Sequence, residues 1–212
     1  MSTLYKYPHT PYLPWSPTID SNDLVMDTSF IKHHEVVVTE KMDGENITMY
    51  RNYIHGRSLD DDGHVSKDWV KNYWSQRRYY IPENYRICGE CLYIKHSIPY
   101  DDLPDYFMGF SVWDGDYCLD WDSTLTVFKD CGIMSVPFIM RGQFNASFIE
   151  LYGNTLDYTK HEGYVVRTTQ GITPSWWNLL IGKYVRPHHV QTNAKHWKHT
   201  TLLRNKLHER NA

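Results

Sequence analysis

Thr39-Glu40-Lys41-Met42-Asp43-Gly44-Glu45-Asn46 brings four ionisable side chains, Glu40, Lys41, Asp43 and Glu45, into eight residues. A lysine at the end of an apolar run (Val36, Val37, Val38), two residues before an Asp-Gly turn, is set to point into a cleft rather than into bulk water. Burial and a neighbouring cation both lower an amine's pKa, and only the free amine is a nucleophile. On this reading Lys41 is held uncharged. Asp43, at i+2, shares its strand face and can hold a metal-bound water beside it. Gly44 lets the backbone approach a ligand closely. An ordinary hairpin with an exposed lysine would also carry these four letters.

Further ionisable and aromatic groups recur downstream at intervals. They are Arg57 in His55-Gly56-Arg57-Ser58, Glu90 in Cys88-Gly89-Glu90-Cys91, and Phe110 in Phe107-Met108-Gly109-Phe110-Ser111-Val112-Trp113. Glu162 follows in His161-Glu162-Gly163-Tyr164, and then Lys183 and Arg186 in Gly182-Lys183-Tyr184-Val185-Arg186. In this order, and across about 150 residues, they resemble the signatures of the covalent nucleotidyltransferases, the superfamily of ATP-dependent polynucleotide ligases and RNA capping enzymes. The wording Val38–Asn46, Arg86–Glu90, Lys95-His96-Ser97-Ile98 and Lys183–Arg186 with His189-Val190-Gln191-Thr192 resembles the RNA ligase family of phages and bacteria.

That resemblance implies an ATP-dependent RNA ligase that joins 5′-phosphate and 3′-hydroxyl ends in RNA repair, through lysyl-AMP and RNA-adenylate. Lys41 would be the nucleophile and Glu90 a ribose ligand. Phe110 would stack on adenine, with Trp113 a rival on the same strand, and Glu40 would help to place that ring. Asp43 and Glu162 would hold Mg²⁺ (or Mn²⁺) through water. Lys183 would grip the α-phosphate, and Arg57 would contact ribose or a phosphate. Arg186 would supply the last motif's second cation, although on a strand it faces away from Lys183. The implied fold is α+β: a nucleotidyltransferase (ATP-grasp-like) domain of mainly antiparallel sheets with flanking helices and no C-terminal OB-fold. A DNA ligase, a guanylyltransferase and an idle RNA-binding module are the alternatives.

Elements must position these groups. A β-branched run marks a buried strand over Glu35–Met42, and alternation marks others at Ile47–Tyr53, Arg86–Ile94 and Tyr106–Trp113. Short strands follow near Ile133–Met140, Gly163–Thr168 and Leu180–Val185. Helical spacing of Trp69, Val70, Tyr73 and Trp74 marks a helix from Ser66 to Tyr80, capped by Ser66. A second runs from Ser123 to Asp130, with Ser123 as its cap and Gly132 past its end. The Pro- and aromatic-rich residues 1–30 form an extended arm on an adenylyltransferase domain of residues 1–190. Residues 191–212 are a basic helical tail.

Composition bounds the rest. Of 212 residues, 41% are apolar and 15% aromatic, too rich for a disordered chain and enough for a core. No apolar run reaches the roughly 18 residues of a membrane span, and no signal peptide is visible. Four cysteines make neither a disulfide scaffold nor a paired zinc site, since Cys118 and Cys131 lie too far apart in sequence to complete Cys88 and Cys91. Asp60-Asp61-Asp62-Gly63 lacks the ligand spacing of a calcium loop. A monomer in the cytoplasm (bacterial, or host if phage-encoded) is expected, with RNA as partner and neither membrane nor protein partner indicated. Net charge is −3, yet from Lys183 to Ala212 seven Lys or Arg face one acid, Glu209. That basic end suits RNA phosphates.

Overall fold

Three valines in succession make the strand Glu35–Lys41 (β1) the centre of a sheet. The computed structural model describes residues 3–59, 67–187 and 203–209. In it β1 pairs antiparallel with Phe138–Gln143 (β8) on one side and Gly163–Thr168 (β9) on the other, and Ile181–Val185 (β10) adds beyond β9. Even-numbered Val38, Tyr164, Val166 and Tyr184 pack in one core with Ile149 of the helix Ala146–Asn154. Opposite faces alternate along a strand, so the odd-numbered residues point the other way.

The second sheet runs Ile54–His55 (β3), Glu45–Tyr50 (β2), Tyr85–Cys91 (β4), Phe107–Asp114 (β5) and Tyr117–Cys118 (β6), with Met134–Ser135 (β7) parallel to β5. Its Ile47, Met49, Ile87, Phe107 and Val112 pack against Val70 and Tyr73 of α1 (Asp68–Arg77) and Phe128 and Cys131 of α2 (Trp121–Cys131). That leaves Asn46, Glu90 and Cys88 facing the first sheet, since Asn46 stands across from Glu90. The α+β class with mainly antiparallel sheets is as expected.

Several local expectations are corrected. β1 and β2 do not pair: Asp43-Gly44 carries the chain from one sheet to the other, and a Cβ on Gly44 would overlap the Cys91 carbonyl. The expected strand over Ile133–Met140 is two strands in different sheets, β7 and β8, parted at Val136-Pro137. The α2 cap is Asp120, whose carboxylate accepts from the Ser123 N–H. Ser123 is therefore the third helical residue and a donor needing a cap. Gly132 ends that helix at φ 63°. Two helices had no clear signal: Ala146–Asn154 (α3), which Asn145 caps at the Phe148 N–H, and the single turn Trp177–Leu180 (α4).

The arm turns back on itself and docks on β10. Tyr12 bridges both Val25 and Lys183, and Lys183 N–H donates to Pro11 O. Of the basic tail, residues 203–209 are not helical. They run along residues 92–106, bridging Ile94 to Arg204 and Leu103 to Leu207, because backbone groups there are satisfied by that stretch instead of by a helix. The rest of the tail, the Ser66 cap and Asp60–Gly63 lie outside the described residues.

Candidate active site

Antiparallel register places the reactive lysines. Lys41 stands across from Gly163, and Lys183 across from Val165, which itself stands across from Thr39. Thr39, Lys41, Val165 and Lys183 thus share the face of the first sheet that looks toward the second. Between the sheets lies a cavity of about 480 Å³, a size suited to a nucleotide. It is lined by Glu40, Lys41, Asp43, Arg57, Glu90, Phe110, Glu162 and Lys183. Arg186 is absent from its wall.

Glu162 sits one residue before β9, buried, with Oε2 2.5 Å from Lys41 Nζ. Gly163 makes that approach possible. Its φ is +154°, and a Cβ there would overlap the Tyr184 carbonyl of β10. Lys41 is not held uncharged. Burial favours the free amine, but Glu162, Glu90 and Asp43 together outweigh it and push the pKa above the ordinary lysine value. The expectation fails because it counted desolvation and omitted three carboxylates.

On the facing sheet, Glu90 is pushed up to about 8 by burial, with Glu162 and Asp43 adding to the rise against the pull of Lys41. Its Oε1 accepts from the Gly44 N–H at 3.1 Å. Phe110 owes its place to a bulge. Cys88 pairs with Ser111 and Gly89 with Gly109, so Phe110 is the extra residue, and both it and Ser111 reach the cavity. Trp113 is buried away from it, 4.9 Å from Trp177 and under the Arg86 guanidinium. Of the two rival rings, Phe110 is the one in the wall.

Asp43 is held differently. Its Oδ2 accepts from the Ser97 N–H (2.8 Å), the Ser97 hydroxyl (2.6 Å) and the Ile98 N–H (2.8 Å), and its own N–H donates to Tyr100 Oη (2.9 Å). Burial opposes ionisation, yet the Ser97 hydroxyl and Ile98 amide win and hold the carboxyl below its usual range. Arg186, expected on the nucleotide, donates instead from Nη2 to Ser97 Oγ at 3.1 Å. It follows β10 three residues after Lys183, and its N–H donates to Glu162 O.

Lys183 Nζ lies 4.0 Å over the Tyr12 ring, and burial, with Lys41 and Arg57 nearby, lowers its pKa to about 8. Glu40 Oε1 lies 2.8 Å from His161 Nδ1. Burial raises the Glu40 pKa against that pairing. Four further lining residues, His9, Tyr12, Asn46 and His96, had been given no role. Asn46 could have been found from the alternation of β2, which turns Ile47 and Met49 to the other face. His9 and Tyr12 could not, because only docking of the arm on β10, with Trp177 Nε1 donating to His9 O at 3.2 Å, brings them there.

All four cysteines are free and buried, and no cluster of three or more His, Cys, Asp or Glu among the described residues could encage a metal. No helix among them is long and apolar enough to cross a membrane.

Solved structures share this architecture. An RNA ligase of Naegleria gruberi with pyrophosphate superposes with a TM-score of 0.55 and 20% identity, over 87% of this chain and 60% of that one. A variant of the same enzyme with AMP and Mn gives 0.57 at 16% identity, over 86% and 56%. An archaeal ATP-dependent RNA ligase gives 0.59 at 19%, over 86% and 48%. At such identities the likeness is one of fold, and the chain spans roughly half to three fifths of the length of these structures. No curated protein matches the chain significantly. A family model described as RNA ligase does match, over residues 34–185, a stretch that begins just before β1 and ends with β10. Both sheets and every strand that lines the cavity fall inside it, and the chain belongs to the RNA ligase family.

Proposed function

We propose that this chain is an ATP-dependent RNA ligase that seals 5′-phosphate to 3′-hydroxyl ends. The observation that carries the reading is Lys41 Nζ in a nucleotide-sized cavity, paired with Glu162 and on one sheet face with Lys183. A binding module needs no buried lysine among three carboxylates. Solved neighbours holding pyrophosphate, or AMP with Mn, support ATP and a divalent ion here.

Phosphoryl transfer depends on positioning and charge neutralisation. The Lys41 amine forms its bond to the α-phosphorus as the bond to the bridging oxygen breaks and pyrophosphate departs. Its proton has to leave first, and Glu162 Oε2 is the acceptor best placed to take it. Lys183, charged below about pH 8, neutralises the α-phosphate. Glu90 accepts from ribose hydroxyls, Phe110 covers adenine, Arg57 takes a phosphate or ribose oxygen, and Glu40 borders the base. AMP then passes to the RNA 5′-phosphate, and the 3′-hydroxyl displaces it.

The acids suit an ion that keeps most of its water. Burial, with repulsion from Glu162 and Asp43, raises Glu90, and a divalent cation relieves that repulsion. Mg²⁺ is commonly bound by one or two carboxylates plus substrate phosphates, not by a protein cage. Glu162 and Asp43 would hold it through water. When bound, it offsets phosphate charge and favours the free amine at Lys41. We further read the chain as a cytoplasmic monomer acting on broken RNA.

Incubation with α-labelled ATP and Mg²⁺ should leave label on the protein, and Lys41→Ala should remove it entirely. A folded, metal-supplied protein that stays unlabelled overturns the reading, and label from GTP alone would make it a capping-type enzyme. Ligation of nicked RNA, nicked RNA–DNA hybrid, nicked DNA and single-stranded RNA identifies the substrate.

A further inference from the structure

The stretch between β4 and β5, residues 92–106, carries the Ser97, Ile98 and Tyr100 groups that fix Asp43. It belongs to neither sheet. Its two isolated bridges, at Ile94 and Leu103, are both to residues 203–209.

Asn205 is the centre of that contact. It is 4% exposed, and its groups reach the beginning, middle and end of the stretch. Nδ2 donates to Leu92 O (2.8 Å), Oδ1 accepts from the Tyr100 N–H (3.0 Å), and its carbonyl accepts from Tyr106 Oη (3.0 Å). Its own N–H donates to Tyr93 O at 3.3 Å. Lys206 N–H adds a bond to Tyr100 O, and Leu103 N–H one to Lys206 O. Tyr100 is therefore gripped through its backbone by Asn205 and Lys206, while its phenol accepts from Asp43. A buried, fully satisfied polar side chain rigidifies what it joins, and an irregular stretch with few ladder bonds needs such a tie to stay in one conformation.

We infer that Asn205 is a positioning residue for the lysine chemistry, with residues 203–209 acting as a clip that presets Asp43 beside Lys41. The inference rests on the nucleotidyl-transfer reading above, and it gives this part of the basic tail a role in the first half-reaction, not in gripping RNA. Replacing Asn205 frees Tyr100 and the Ser97-Ile98 amides, so the carboxylate of Asp43 loses its fixed direction. Lys41 and Lys183 stay on their ladders.

The test uses the full chain. Asn205→Ala should slow self-adenylylation at saturating ATP about tenfold or more, with KM for ATP within about twofold. Tyr100→Phe should slow it less, and the double variant should be no slower than Asn205→Ala by more than about twofold, because both act along one path. Amide exchange at Ser97 and Ile98 should rise about tenfold in Asn205→Ala, while β1 and β9 stay protected. Additive losses, an unchanged rate, or unchanged exchange at Ser97 and Ile98 would each overturn the clip. Should Asn205→Ala fail to fold, Tyr100→Phe decides: it must slow adenylylation and expose the Asp43 amide. A wild-type chain that takes no label would remove the transfer reading instead, and amide exchange alone would then settle the clip.

Discussion

Two ways of holding a reactive group stand side by side in this cavity. Lys41 and Lys183 are set by the β1–β9–β10 ladder, where each position follows from register, and Glu162 by its place one residue before β9, its carbonyl accepting from the Arg186 N–H. Asp43, within the same cluster, is set by three donors from an irregular stretch that is itself tied down by residues 203–209. The ladder is rigid because dozens of backbone atoms share the restraint. The second arrangement is only as firm as a few side-chain hydrogen bonds. Cutting the ladder should therefore destroy both stability and chemistry, whereas cutting the hung carboxylate should spare the fold.

The largest effect is expected at Gly163. Gly163→Ala drives a methyl into the Tyr184 carbonyl and wedges β9 from β10, a cost of about 3 kcal/mol. That corresponds to a fall in Tm of about 6–12 °C, with adenylylation lost. A Tm within a degree or two of wild type would show that the ladder yields more easily than its register suggests.

Ser97→Ala should act on the hung side alone. It removes one of three bonds to the Asp43 carboxylate and the hydroxyl that accepts from Arg186. Adenylylation should fall about tenfold, with little change in Tm. The pH profile offers a second reading. Because the Ser97 hydroxyl depresses the Asp43 pKa, its stabilisation is present above the unfolded carboxyl pKa and is lost as pH falls through the folded one. In Ser97→Ala the folded pKa moves back toward the unfolded one, so this stabilisation should be smaller and its loss complete at higher pH. A profile unmoved on its acid side would mean that the two backbone amides suffice.

The smallest effect separates stability from function on the facing sheet. Glu90 has a folded pKa of about 8 against an ordinary 4.5, so the folded state binds the proton more tightly and its ionisation penalty grows as pH rises between those values. Glu90→Gln keeps an acceptor for the Gly44 N–H and removes that penalty. At pH 8 its Tm should exceed wild type, with the difference narrowing to nothing near pH 5, while ribose-dependent activity falls. A Tm difference that does not change with pH would mean that the carboxylate is not desolvated.

Much of this was legible in sequence for reasons that hold locally. Val36–Val38 announced a buried strand, Gly163–Thr168 read as the short strand it is, and the ordered motifs contain eight of the cavity residues. The misreadings share one cause. Asp-Gly says that the chain turns, not which partner each flanking strand will find. Nothing local says that β1 and β2 join different sheets, as they do. The bulge at Phe110 depends on the registers of two strands at once, and no local pattern encodes it. Lys41 looked set to lose its proton because sequence reveals a neighbour's charge only when the neighbour is near in sequence, and Glu162 is 121 residues away.

The sequence by itself determined which side chains are available and the period on which each strand presents them, because both are properties of consecutive residues. Only the tertiary structure decided which charges face one another, which aromatic ring lines the wall, and that Asn205 lies against residues 92–106. Those outcomes depend on distances between segments, and electrostatics and packing act through space without regard to position in the chain.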